Sequence, residues 1–210
     1  MIESLKKAQR LQPDFVVYTG DFISYENDTQ IDELGIVMKE AVRGTKGTLA
    51  ILGNHYYGHN WSQPNVANKV VKVLKDVGIT TLRNEQHEVD GLHLIGIDDY
   101  WAINFQPEKV MVKIDANKAN LVLCHNPDVC DLDIWQDYEG WILSGHTHGG
   151  QVKPPFLNPP ILPVQNKKYT AGEIALSGNR TLYINRALGN LLHLGCNVRL
   201  EITLFELTSA

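Results

Sequence analysis

The sequence predicts an α/β fold, and three observations point there. Apolar runs of strand length alternate with stretches of helical periodicity through the first half. Four strand-like runs end on Gly or Cys and then a metal-capable or acid–base side chain. The composition is that of an ordinary globular chain, 43% hydrophobic and 20% charged with 17 Gly and 9 Pro. A length of 210 residues suits one domain with a proper core. No internal repeat, linker or low-complexity tract divides residues 1–210.

The chain opens with an amphipathic helix that sets Ile2, Leu5, Ala8 and Leu11 on one side. Phe15-Val16-Val17-Tyr18-Thr19 follows as a strand ending at Gly20-Asp21. Residues 30–43 carry Ile31, Leu34, Val37, Met38, Ala41 and Val42 at helical spacing, with Gly44 as the stop. Thr48–Leu52 reads as a buried strand leading into Gly53-Asn54-His55, and Val66–Val77 as a helix closed by Gly78. Together these predict a partly parallel sheet with helices on its faces. The second half is richer in strand. His87–Val89 and Leu92–Ile97 flank Asp90-Gly91, a strong hairpin signal. Leu121–Cys124 precedes His125, and Trp141–Ser144 precedes Gly145-His146. The Pro-rich stretch Lys153–Pro163 reads as a loop, and Thr181–Asn185 and Glu201–Leu207 as closing strands.

Charge and cysteine content exclude some functions. A net charge of −5 argues against broad electrostatic capture of nucleic acid, and no basic patch interleaved with aromatics suggests a nuclease. Cys124, Cys130 and Cys196 lack C-x-x-C spacing and cannot all pair, so they read as reduced, packed thiols of an intracellular protein. No apolar run reaches the roughly 18 residues of a membrane span, and the first residues lack a signal-peptide core. The chain as given reads as cytoplasmic, or as membrane-associated where an upstream segment belongs to it.

The chemistry lies at the four strand ends. In open α/β sheets ligands collect outside the carboxyl ends of the strands, so polar residues distant in sequence can converge there. Each member is weak alone: Gly-Asp is usually a turn, Asn is common in turns, and a lone His is more often buried and satisfied. His146 and His148 are stronger, being two histidines at i, i+2 among three glycines. Imidazole with carboxylate and amide oxygen suits Mn, Fe, Zn or Ni better than an all-oxygen cage. A carboxylate such as Asp21 can bridge two ions roughly 3.5–4 Å apart, which can hold a hydroxide between them and neutralise phosphate charge.

These blocks resemble the calcineurin-like metallophosphoesterases, whose motifs run Asp-x-His, Gly-Asp, Gly-Asn-His, a single His, then Gly-His-x-His. This chain carries the last four as Gly20-Asp21, Gly53-Asn54-His55, His125 and Gly145-His146-Thr147-His148. Gly145–Gln151, Cys124–Asp128, Arg83-Asn84-Glu85 and Gly96–Asp99 are similar to a branch that includes bacterial envelope phosphodiesterases and UDP-2,3-diacylglucosamine hydrolases. The resemblance implies a four-layer α/β/β/α sandwich of two mixed sheets flanked by helices. It further implies that Asp21 bridges two divalent transition-metal ions, that Asn54, His125 and His146 complete one site, and that His148 belongs to the other. His55 would be the acid that protonates the leaving oxygen, or would steady the transition state, rather than a ligand.

No Asp-x-His stands before Gly20-Asp21. The expectation is therefore an N-terminally incomplete domain over 1–210, lacking the first strand and with one metal site half built. Tyr56 stands where the resemblance places an acidic residue, and offers a hydroxyl instead. The expected activity is metal-dependent hydrolysis of a small-molecule or lipid-linked phosphate ester, as a phosphodiesterase or pyrophosphatase. The competing reading is a scaffold or binding module that keeps the fold without turnover. The segment Lys153–Tyr169 offers an apolar lip for an acyl chain or membrane surface, with Lys167 and Lys168 meeting anionic head groups; a packed loop is the plainer alternative. His59 lies near enough to His55 to approach the site, with surface solvation the plainer reading. His87, His93 and His193 carry no motif and read as structural or exposed.

Overall fold

Two sheets lie face to face in the computed structural model, which describes residues 2–156, 159–189 and 197–208. The smaller is parallel throughout, in the order β1 (Phe15–Tyr18), β2 (Gly47–Ile51), β3 (Thr80–Leu82). The larger contains β4 (Glu85–Val89), β5 (Leu92–Gly96), β6 (Ala119–Leu123), β7 (Gly140–Ser144), β8 (Gly172–Ala175) and β9 (Arg180–Ile184), in the order β4-β5-β6-β7-β9-β8. Its centre, β5-β6-β7-β9, is parallel and its two outer pairs are antiparallel. The helices are α1 (Ile2–Gln9), α2 (Asp28–Lys39), α3 (Pro64–Asp76) and the short α4 (Glu108–Met111).

Strand alternation builds the layers. Leu49 and Ile51 of β2 and Leu82 of β3 meet Leu94, Leu121, Leu123 and Leu143 of the larger sheet, forming the core between the sheets. The alternate residue Ala50, with Leu52 just past the strand, faces α2 and α3 through Leu34, Met38, Val66, Val70 and Leu74. On the far side of the larger sheet, Ile95, Val122, Ile142 and Leu182 pack on Val110 and Met111 of α4 and on Val129, Trp135 and Tyr169. The expected two-sheet α/β sandwich is thus present, with its outer layer made largely of short helices and loops.

Several boundaries moved for local reasons. Helix α2 starts at an Asn27 capping box, the Asn27 side chain accepting from the backbone and Gln30 reaching back, a device the apolar periodicity did not register. It ends at Lys39 rather than running to Gly44, because Arg43 folds back to donate to the Met38 and Val77 carbonyls. Helix α1 buries Leu5 and Ala8 against Val42, while Leu11, expected on that face, lies beyond the helix end and is 59% exposed. Asp90 and Gly91 both have positive φ (50° and 79°), and Val89 pairs with Leu92 across the two-residue turn. The closing strand expected at Glu201–Leu207 is not formed over residues 201–208. That segment is anchored by side chains instead, with Glu201 and Thr203 bonding Tyr183 and Asn185 of the β9 region. Strands β3 and β8 and helix α4 are too short to announce themselves by periodicity. Leu157, His193 and Cys196 lie outside the described residues. Among the described residues no helix is long and apolar enough to cross a membrane.

Candidate metal centre

The ends of β1, β2, β6 and β7 come together, two from each sheet. Asp21 follows β1 through Gly20, and its carboxylate Oδ2 lies 2.8 Å from His125 Nε2, just past β6. The His55 backbone N–H donates to Asp21 Oδ1 at 3.2 Å, which joins the β1 and β2 ends. His146, beyond β7, sets Nδ1 3.2 Å from His125 Nε2. One ligand-capable atom each from Asp21, His125 and His146 lie within 4.8 Å of one another. Glycine is needed where the loops cross: a Cβ on Gly53 would fall 2.2 Å from Asp21 Oδ1, and one on Gly20 would fall 2.6 Å from His125 Nδ1. Asp21, His146 and His148 all hold positive φ (53°, 67° and 50°), a strained geometry for residues with side chains that clusters at functional sites.

The second ring nitrogens are tied down. His125 Nδ1 contacts the Thr19 carbonyl at 2.5 Å, His146 Nε2 the Pro163 carbonyl at 2.8 Å, and His148 Nδ1 the Gly189 carbonyl at 3.1 Å. For His125 and His148 this leaves Nε2 as the ring nitrogen free of a carbonyl partner, the arrangement found around metal-ligating imidazoles. Burial by itself would push His125 down, but the adjacent Asp21 carboxylate overrides it, with Asp99 in support, and raises the imidazole to about 9. Burial and the neighbouring His125 charge push His146 down to about 3. His148 is also pushed down by burial, against the pull of the Gly189 carbonyl. Burial would raise Asp21, but His125 outweighs it and keeps the carboxylate below its ordinary range.

Asn54 is 1% exposed, and its Oδ1 has no hydrogen-bond partner among the described residues. A buried carbonyl oxygen without a donor costs about 1–3 kcal/mol, so its retention fits an oxygen reserved for a cation. The donor set of carboxylate, amide oxygen and imidazoles suits a divalent transition metal. His148 does not fall within the Asp21–His125–His146 cluster, although His125 and His55 are close enough to bear on its titration. His55, half-buried, stands at the rim with its ring edge-on to Trp61 at 5.1 Å. Tyr56 does not turn toward His55; it is fully buried, and its hydroxyl accepts from the Phe22 N–H, bracing the turn after Asp21.

Sequence reasoning missed several neighbours. Asp99 is fully buried with Oδ2 unpartnered among the described residues, and burial raises it to about 7 against the opposing His125 charge. Asp98 beside it accepts from Tyr57 Oη at 2.6 Å and from Arg83 Nε at 3.1 Å, anchoring the short 3₁₀ helix Asn54–Tyr57 that carries Asn54 and His55. The signal was present, since Asp98-Asp99 ends an apolar strand in the same grammar as Gly20-Asp21. Trp101, stacked on Trp61 with centroids 6.2 Å apart and edge-on to His146 at 4.6 Å, had no sequence signal.

No family model matches the chain. It is 33% identical to the phosphodiesterase YaeI of Escherichia coli (strain K12), over 93% of this chain and 71% of that protein. It is 32% identical to the metallophosphoesterase YkuE of Bacillus subtilis (strain 168), over 94% and 69%. It is 25% identical to the UDP-2,3-diacylglucosamine pyrophosphatase LpxG of Chlamydia trachomatis, over 88% and 70%. At 33% and 32% identity over more than nine-tenths of its length, the chain belongs to the calcineurin-like metallophosphoesterases, metal-dependent hydrolases of phosphate esters.

Proposed function

We propose that a single domain over residues 1–210 hydrolyses a phosphodiester or pyrophosphate, with Asp21, Asn54, His125 and His146 holding one divalent transition-metal ion (Mn, Fe, Zn or Ni). The observation that carries this reading is the buried Asn54 Oδ1, without a partner among the described residues, together with the Asp21–His125–His146 cluster. Asp21 would also serve a second ion with His148. When bound, such ions neutralise phosphate charge and activate water for attack. As the oxygen of water bonds to phosphorus, releasing a proton to solvent, and the ester P–O bond breaks, His55 would give its proton to the departing oxygen. The Thr19 and Gly189 carbonyls hold the His125 and His148 rings in register.

Hydrolysis of bis-p-nitrophenyl phosphate with added Mn²⁺, lost in His146→Ala, tests this reading. His55→Ala should keep metal content and lower kcat about 100-fold or more. A scaffold without turnover is the second reading, and a well-folded chain with negligible bound transition metal would establish it. For the substrate, the relative named as a UDP-2,3-diacylglucosamine pyrophosphatase favours a lipid-linked phosphate ester. Phe156 and Ile161, 106% and 74% exposed, would form the apolar lip toward an acyl chain or membrane surface. Lys167 does not join that surface, because its ammonium turns inward onto the Leu162 and Val164 carbonyls. Flotation with anionic vesicles, undiminished in Phe156→Ser/Ile161→Ser, would refute the lip.

A further inference from the structure

His55 separates two spaces. On one side its backbone N–H reaches Asp21 and the candidate metal centre. On the other its ring borders a cavity of about 620 Å³, within the ordinary range for a small-molecule site. The half-buried rings of Tyr25 and Trp61 line that cavity, and the exposed side chains of Glu26, His59, Asn60 and Gln63 form its rim. Trp61 is held from behind by Trp101, stacked at an interplanar angle of 26°, and meets the His55 ring edge-on. The backbone takes unusual conformations to put it there: Gly58, Asn60 and Trp61 have φ of 60°, 53° and 55°. Two consecutive non-glycine residues in the left-handed region each cost roughly 1–2 kcal/mol, so the surrounding contacts must fix this loop.

We propose that this cavity binds a polyhydroxylated ring, a sugar carried on the phosphate, with its face against Trp61. The position follows from chemistry and rests on the proposed role of His55: a group that protonates the departing oxygen must have the departing alcohol beside it. The ring class follows from the lining. An acyl chain would require an apolar tunnel, whereas the rim presents two amides and an imidazole that both donate and accept, with a carboxylate that accepts. That set matches clustered hydroxyls, and the indole supplies a flat apolar face held rigid from behind. Trp61 is then the residue that fixes specificity for the departing group. His59 takes a place at this rim, at the edge of the site rather than in its metal centre.

The test is calorimetric titration of the Mn²⁺-supplemented chain with glucose 1-phosphate, butyl phosphate and inorganic phosphate. Glucose 1-phosphate should bind about 10-fold more tightly than butyl phosphate, the scale of one ring stacked on an aromatic face. Trp61→Ala should erase that preference and Trp61→Phe should restore most of it, while Trp141→Ala, on a distant surface against Phe205, leaves it intact. His146→Ala should weaken all three phosphates together without changing their order. Equal affinities in the wild-type chain, no measurable glucose 1-phosphate binding, or a preference that survives Trp61→Ala would each overturn the proposal. Failure of the metal reading looks different: the preference persists, but bis-p-nitrophenyl phosphate is not cleaved.

Discussion

Replacing Gly53 with Ala tests the packing of the metal centre without removing any candidate ligand. The backbone there is ordinary, with φ −107° and ψ 171°, so alanine meets no dihedral penalty. The obstacle is steric. The new Cβ would sit 2.2 Å from Asp21 Oδ1, 2.6 Å from Asp21 Cγ and 2.8 Å from His125 Cε1, against the 3.4 Å at which ordinary contact begins. The carboxylate must retreat by most of that gap, and retreat breaks its contacts to His125 Nε2 and the His55 N–H. Overpacking of this kind costs about 1–3 kcal/mol, and a lost charge-assisted bond adds about 1.5–3. The smaller conformational entropy of the unfolded Ala variant returns about 0.4–1. A net loss of about 1.5–5.5 kcal/mol follows for the metal-free chain. A ligand displaced on this scale should also weaken Mn²⁺ at least 10-fold, as loss of a ligand's orienting partner does. Thermal unfolding with and without Mn²⁺ reads both effects, because a ligand present at 100 times its Kd stabilises by about 2.7 kcal/mol and a tenfold weaker site forfeits about 1.4 of that. Gly35→Ala is the control: its Cβ would meet only Val73 at 3.7 Å, and within helix α2 it should stabilise by up to about 1 kcal/mol. A Gly53→Ala chain with the wild-type Mn²⁺-induced rise in Tm would refute the convergence of these two strand ends.

Arg83→Leu strands the Asp98 carboxylate, 1% exposed, without its guanidinium partner, and should destabilise by about 3–5 kcal/mol in urea unfolding. Because Asp98 and Tyr57 brace the segment carrying Asn54 and His55, Arg83→Leu should also weaken Mn²⁺ binding, measured by calorimetry. Asn54→Ala removes an oxygen that bonds nothing among the described residues, so Mn²⁺ affinity should fall about 10-fold or more while metal-free stability changes by no more than about 1 kcal/mol. Asn27→Ala breaks the capping box of α2 and should cost about 1 kcal/mol by thermal unfolding, with Mn²⁺ affinity unchanged.

The ordered residues Asp21, Asn54, His55, His125, His146 and His148 were legible because strand-end chemistry is written locally: an apolar run, a small residue, then a polar side chain. The same locality made the Asp90-Gly91 hairpin readable, since a two-residue turn with both φ positive selects its own residues. Strand and helix centres were likewise fixed by hydrophobic period, which reports burial along one element. Tertiary structure decided whatever depends on what lies opposite. Glu201–Leu207 has a strand-like composition and forms none, because strand formation needs a partner backbone and composition does not supply one. Asp98 and Asp99 stood out in sequence only as one strand-end block, and only the fold separates their roles, pairing Asp98 with Arg83 and Tyr57 and leaving Asp99 buried facing His125. Trp61 and Trp101 stand 40 positions apart in sequence and meet face to face only because the sheets bring the loops after β2 and β5 together. Sequence determined which donor atoms this chain can offer, since ligand type is a property of single side chains. Its geometry and the shape of the space beside His55 were decided by contacts between distant segments, which no local pattern encodes.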